Sequence, residues 1–135
     1  MIQGLSHMTF ITADLERMEK LLTHIFKAKK VYDSGEQTFS LSEERFFLIG
    51  DIWIAIMKGD SLVEKTYNHI AFKIDDDDFE DYLTRIHDLG LELREGRARV
   101  KGEGQSIYFY DDDNHMFELH TGTLEERLER YKKAC

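Results

Sequence analysis

Apolar and polar residues alternate over residues 5–12, with His7, Thr9 and Ile11 on one face and Met8 and Phe10 on the other, the period of a half-buried strand. At Asp14 the period changes. Leu15, Met18, Leu21, Leu22, Ile25 and Phe26 recur at helical spacing, and Asp14 stands where a side-chain oxygen caps a first turn, so a helix is expected to about residue 28. Apolar runs at 31–32, 38–41, 46–49 and 52–57, parted by Ser34-Gly35 and Gly50-Asp51, predict short strands joined by turns. Residues 58–66 are polar and include Gly59, which predicts a connecting segment.

The plan then starts again. A strand is expected over 67–74, and Asp75 to Asp78 charge the start of a helix over about 79–89 that Gly90 ends. A strand near 91–94, a Gly-rich basic loop over 97–105 and a hairpin of 106–110 with 115–121 follow. A last helix over about 124–133 opens on Thr123, with Glu126 three residues on as its capping-box partner. At an offset of 62 positions His7 maps to His69, Phe10 to Phe72, Asp14 to Asp76, Phe46 to Tyr108 and Ile56 to Glu118. The order of elements repeats better than the residues do. This predicts an α+β chain forming one domain over residues 1–135, with module one about 4–58, module two about 67–121 and a C-terminal helix about 123–133.

A net charge of −9 argues against nucleic acid, whose phosphates demand a basic footprint. Arg94, Arg97, Arg99 and Lys101 form the one local concentration of positive charge, where a small anion would be held. No apolar run reaches the ~18–20 residues of a membrane span, and the first residues lack the pattern of a secretory signal. A lone cysteine, Cys135, fits a reducing compartment, so a cytoplasmic protein is expected.

The chemistry concentrates on strands. His7 and His69 each open the first strand of a module, and Glu118 lies on the last strand of module two, where its counterpart Ile56 is apolar. Two imidazoles and one carboxylate hold a divalent cation with positions left for water and substrate, the catalytic arrangement and not the closed structural one. Nitrogen and carboxylate donors without thiolate suit Mn²⁺, Fe²⁺, Zn²⁺ or Co²⁺. From the residues alone a second reading stands beside it: strand histidines that are hydrogen-bonded structural groups, with Glu118 on a wet sheet face. His120 shares the Glu118 face, as a replacement ligand or as a group behind the ligands. His24, His87 and His115 fall on helix or turn positions and are assigned no chemistry.

Gly-Leu-Ser-His-Met-Thr at 4–9, Tyr-Asn-His-Ile-Ala-Phe at 67–72, Ser-Ile-Tyr-Phe-Tyr-Asp at 106–111 and Asn-His-Met-Phe-Glu-Leu-His-Thr-Gly-Thr-Leu-Glu-Glu-Arg-Leu at 114–128 closely resemble the fosfomycin-resistance enzymes of the vicinal oxygen chelate (glyoxalase/bleomycin resistance/dioxygenase) superfamily, most of all the FosX-type hydrolases. The resemblance covers nearly the whole chain. It implies paired βαβββ modules, a domain-swapped homodimer, and Mn²⁺ held by His7, His69 and Glu118, one histidine coming from one chain and the other ligands from its partner. It also implies a substrate, fosfomycin, a small phosphonate carrying an epoxide.

Relatives divide by nucleophile: glutathione, bacillithiol or cysteine, or water. The resemblance puts the general base of the water-adding branch at Glu44, with Glu43 as its neighbour in register, and implies a diol phosphonate product. It matches Arg97, Ser106, Tyr108 and Arg127 to phosphonate-contacting positions, with Arg94 and Arg99 as substitutes in another register. Thr9 shares the His7 face and is expected to offer its hydroxyl to the substrate, while Trp53 and Tyr67 wall the pocket. Phe46 replaces a tyrosine of some thiol-adding relatives. The loop around Gly102 and Gln105 differs from one that binds a monovalent cation in the glutathione branch, so no potassium dependence is expected. The alternatives are a thiol transferase acting on fosfomycin and a non-catalytic protein that sequesters a drug.

Overall fold

Asp14 ends one element and begins the next. Its carboxylate accepts from the Arg17 backbone N–H at 3.1 Å, capping a helix that follows directly on the first strand. The computed structural model of the protein describes residues 1–94 and 104–134. Within it the chain forms two compact units, Met1–Val63 and Glu64–Cys135.

The first unit runs β1 (His7–Thr12), α1 (Leu15–Ile25), β2 (Lys29–Asp33), β3 (Glu44–Ile49) and β4 (Ile52–Lys58), with sheet order β1-β4-β3-β2. β1 and β4 are parallel, and the other pairs are antiparallel. All six residues of the expected α1 stripe are buried, as are Phe47, Ile54 and Ile56 of the strands that α1 packs on. The helix stops at Phe26, three residues short of the expected end counting Ile25 as its last residue, because Lys27 takes a left-handed φ of 55°.

The expected strand at 38–41 does not form. Phe39 and Leu41 are 89% and 93% exposed, and the segment is a bend-rich connection. β2 pairs directly with β3, so the ladder edge that a strand at 38–41 would need is already taken. β3 also starts earlier than its apolar run: Ser34 N–H donates to the Glu44 carbonyl and Glu44 N–H to Ser34 Oγ, each at 3.0 Å, which draws Glu44 into the ladder.

The second unit repeats the order with β5 (His69–Lys73), a short 3₁₀ turn at Asp76–Asp78, α2 (Phe79–Asp88), β6 (Leu93–Arg94), β7 (Ser106–Tyr110), β8 (Met116–His120) and α3 (Leu124–Ala134). Its sheet order is β5-β8-β7-β6, and β5 and β8 are parallel. Phe72, Ile107, Phe109, Phe117 and Leu119 are buried on one side of this sheet. The capping box on α3 forms as expected, with Glu126 N–H donating to Thr123 Oγ1 at 3.1 Å and Thr123 N–H to Glu126 Oε1 at 3.0 Å. No helix among the described residues is long and apolar enough to cross a membrane.

Register corrects one expectation. His7 pairs with Trp53, 46 residues on, whereas His69 pairs with Met116, 47 residues on. The last strand of the second unit is therefore offset by 63, not 62. The counterpart of Glu118 is Ala55, not Ile56: Tyr108 faces Glu118 as Phe46 faces Ala55. The additional residue sits in the connection between β7 and β8, which a uniform offset cannot detect.

Candidate metal centre

In the first unit the ladder sets His7, Thr9, Phe46, Glu44, Trp53, Ala55 and Met57 on one face. The His7 ring lies on Trp53, with centroids 4.2 Å apart, and Ser6 Oγ is 3.0 Å from His7 Nδ1. Phe46 meets Trp53 edge-on at 5.2 Å and Tyr32 at 4.9 Å. Trp53 Nε1 is buried without a hydrogen-bond partner among the described residues. Glu44, only 8% exposed, belongs to this face, opposite Met57 in the ladder. Glu43 precedes the strand, and its carbonyl accepts from Lys58 N–H at 2.9 Å.

The neighbour on the other face, Arg45, is clamped to α1 and β2. Its Nη2 and Nη1 lie 2.6 and 2.9 Å from Glu16 and Glu19, and its Nε lies 3.3 Å from Asp33. The Arg45 hydrogen bond holds the Glu16 carboxyl below its ordinary value. Asp33 is lowered as well, first by the Gly35 N–H it accepts and then by Lys30 and Arg45. Arg45 itself is pushed up by the same acidic partners, Glu16 foremost.

In the second unit one face carries Arg94, Ser106, Tyr108, Tyr110, Glu118, His120 and His69. Glu118 is 3% exposed. His69 Nδ1 lies 2.7 Å from the Tyr67 carbonyl. A carbonyl only accepts, so Nδ1 carries a proton, and in that neutral tautomer Nε2 would present a lone pair. Nε2 lies 3.0 Å from Glu118 Oε1. Two lone-pair bearers this close attract only through positive charge between them, a proton or a cation. Ligands about 2.1 Å from a cation and at right angles to each other stand about 3 Å apart, so the donor set fits a divalent ion. The backbone carbonyl behind His69 is the usual partner of a metal-binding imidazole.

Of the other expected residues, Tyr67, Ser106 and Tyr108 of the second unit lie beside this pair. Tyr67 packs against His69 with centroids 4.8 Å apart, and its hydroxyl is 3.3 Å from that of Tyr108. The Arg94 guanidinium lies 4.8 Å over the Tyr67 ring and donates to Tyr110 Oη at 3.2 Å. Ser106 Oγ donates to Glu118 Oε2 at 2.5 Å. Arg127, from α3, is 3.3 Å from His120 Nε2, beside a cavity of about 200 Å³ lined by His120, Gly122, Thr123, Leu124 and Arg127. Arg97 lies outside the described residues, as do Arg99 and Lys101.

A cluster that the sequence reading passed over is Asp111, Asp113 and His115, whose potential ligand atoms lie within 4.8 Å of one another. Asp111 Oδ1 accepts the N–H groups of Asp113 and His115 at 2.9 and 2.8 Å, and Oδ2 is 2.7 Å from His115 Nδ1. These bonds build the turn between β7 and β8. The Asp-x-Asp-x-His spacing was the available signal, masked by its turn-like composition.

Residues 4–119 match the Glyoxalase/Bleomycin resistance protein/Dioxygenase superfamily. The chain is 66% identical over 134 residues, 99% of its own length and 96% of the relative's, to the fosfomycin resistance protein FosX of Mesorhizobium japonicum. It is 60% identical to FosX of Listeria monocytogenes, over 97% of this chain and 98% of the relative. A crystal structure of a mutant of the Listeria monocytogenes protein, complexed with Mn(II) and 1S,2S-dihydroxypropylphosphonic acid, superposes with a TM-score of 0.89 at 55% identity, covering 97% of this chain and 99% of that one.

Proposed function

The chain belongs to the Glyoxalase/Bleomycin resistance protein/Dioxygenase superfamily, and on that premise we propose that it is a Mn²⁺-dependent epoxide hydrolase that adds water to fosfomycin, yielding a diol phosphonate and so resistance to the drug. The observation that carries this reading is the His69–Glu118 pair, with Nε2 and Oε1 at 3.0 Å and the imidazole oriented by the Tyr67 carbonyl. The kinship to proteins named FosX and the diol phosphonate bound with Mn(II) in one of them support the same reaction.

His69 and Glu118 supply two ligands and His7 the third. The assembly is a domain-swapped homodimer in which His7 of one chain joins His69 and Glu118 of its partner, the two modules serving as one functional domain, in the cytoplasm. A bound divalent cation supplies Lewis-acid stabilisation of the ring oxygen as it leaves, worth several kcal/mol. Glu44 takes a proton from water as the water oxygen bonds to the ring carbon next to phosphorus. The carbon–oxygen bond breaks, and the ring oxygen leaves with its electron pair and gains a proton from solvent. A positioned carboxylate base contributes ~10²–10⁴-fold. Arg97, Ser106, Tyr108 and Arg127 hold the phosphonate, for which the guanidinium fork is suited. Thr9 offers its hydroxyl to the substrate, and Trp53 and Tyr67 wall the pocket and keep bulk water away.

Incubation of Mn²⁺-loaded protein with fosfomycin, with and without glutathione, cysteine or bacillithiol, followed by phosphorus NMR, tests this. Diol is expected without thiol. A thiol adduct alone would make the protein a transferase and remove Glu44 from its role. Stoichiometric binding without turnover or metal requirement would make it a sequestering protein.

A further inference from the structure

Behind Glu118 the hydrogen bonds run in one direction. Arginine only donates, so the Arg127 Nη2 contact at 3.3 Å makes His120 Nε2 the acceptor. His120 then carries its proton on Nδ1, which lies 2.7 Å from Ser106 Oγ and 3.4 Å from Glu118 Oε2. The nearer oxygen receives it. With an oxygen lone pair so occupied, the single Ser106 proton points to Glu118 Oε2 at 2.5 Å. Glu118 Oε1 is left facing His69.

The scaffold fixes each member. Ser106 and His120 are ladder partners at the ends of β7 and β8, so their side chains share a face by register. Gln105 and Thr121, the residues flanking that pair, exchange two more bonds: Thr121 N–H donates to the Gln105 carbonyl at 3.0 Å and Gln105 N–H to Thr121 Oγ1 at 2.9 Å. The strand ends are held so closely that a Cβ on Gly104 would stand 2.6 Å from the Gly122 nitrogen. Both ring nitrogens of His120 are engaged, which leaves it behind the ligands and not among them.

We infer that His120 is a positioning residue: through Ser106 it directs a hydroxyl proton onto the outer oxygen of Glu118, so that this carboxylate offers one oxygen, in one orientation, to the cation shared with His69. The inference rests on the proposed metal role of Glu118 and assigns Ser106 a task towards the protein in addition to any contact with phosphonate.

Binding of Mn²⁺ alone, measured from the EPR signal of the free ion, tests it. His120→Ala is expected to weaken Mn²⁺ binding ~10–100-fold, the usual cost of removing a group behind a metal ligand. His120→Asn places an amide N–H where Nδ1 stands and is expected to restore most of that loss, whereas His120→Gln, which reaches towards Arg127, is not. Ser106→Ala is expected to weaken Mn²⁺ binding similarly, and the double variant no further, because the two act as one unit. Ser106→Ala also keeps the question answerable should His120→Ala fail to fold. Wild-type affinity in either Ala variant, or losses that simply multiply in the double variant, overturns the inference. A rise in KM for fosfomycin in Ser106→Ala with unchanged Mn²⁺ affinity would make Ser106 a substrate contact only and overturns it too. Wild-type protein that binds no Mn²⁺ sinks the functional reading, and this inference with it.

Discussion

Around His7 the first sheet offers Trp53, Phe46, Ala55 and Met57; around His69 the equivalent positions of the second offer Met116, Tyr108, Glu118 and His120. Among the described residues each sheet has one acidic residue on this face, in a different place. Glu44 of the first is matched by Ser106 of the second, and Glu118 of the second by Ala55 of the first. Their surroundings differ. Glu118 is enclosed by His69, Ser106 and His120. Glu44 sits opposite Met57 and is anchored in the ladder through its backbone. The side chains around Glu118 hold both of its oxygens, whereas the Glu44 hydrogen bond to Ser34 is made by its backbone. The duplicated fold thus places its two acids on different strands, and the proposed mechanism gives each a separate task.

Removing the acid from the second sheet should have the largest effect. Glu118→Ala is expected to abolish diol formation and weaken Mn²⁺ binding by more than the ~10–100-fold typical of groups behind a ligand, read by phosphorus NMR and by EPR of free Mn²⁺. Wild-type metal binding in that variant would erase the distinction between the two acids. Removing the acid from the first sheet should separate the tasks: Glu44→Gln is expected to leave Mn²⁺ affinity within about twofold and lower hydrolysis by ~10²–10⁴-fold. Retained hydrolysis would take Glu44 out of the mechanism.

A smaller effect concerns how the first sheet is held. Arg45→Met removes the clamp between β3, α1 and β2 and is expected to lower Tm at neutral pH. Glu16 and Asp33 have folded pKa values below their ordinary 4.5 and 3.8. Their stabilisation is therefore present above those values and lost as pH falls through the lower folded values. The Tm gap between wild type and Arg45→Met should accordingly narrow on acidification below about pH 4.5, and a gap that stays constant to pH 2 would exclude the clamp as its source. Smallest is the second unit's α3 cap: Thr123→Ala is expected to cost about 1 kcal/mol in denaturant unfolding, with Arg127 still on its helix.

How much was legible beforehand varies with the range of the interaction concerned. Asp14, Thr123 and Glu126 act over three or four residues, and the caps they predict form as read. The apolar stripe of α1 follows from a period and is buried throughout. Residues 38–41 had the composition of a strand but no free ladder edge, which composition does not record. Ile56 looked like the counterpart of Glu118 because a uniform offset overlooks one added residue near Asp111–His115, and that residue shows only in cross-strand pairing. His69 and Glu118 were identifiable as donors. The Tyr67 carbonyl that sets the imidazole tautomer was not, since any residue supplies a carbonyl.

The sequence by itself determined the element order apart from residues 38–41, the duplication and the residue types able to hold a metal, because periodicity, caps and side-chain chemistry are local properties of the chain. Tertiary structure alone decided which oxygen of Glu118 faces His69, where the Ser106 proton points and which face Glu44 joins. Those depend on strand register and hydrogen-bond direction, which arise only when residues 10 to 50 positions apart are brought within 3 Å.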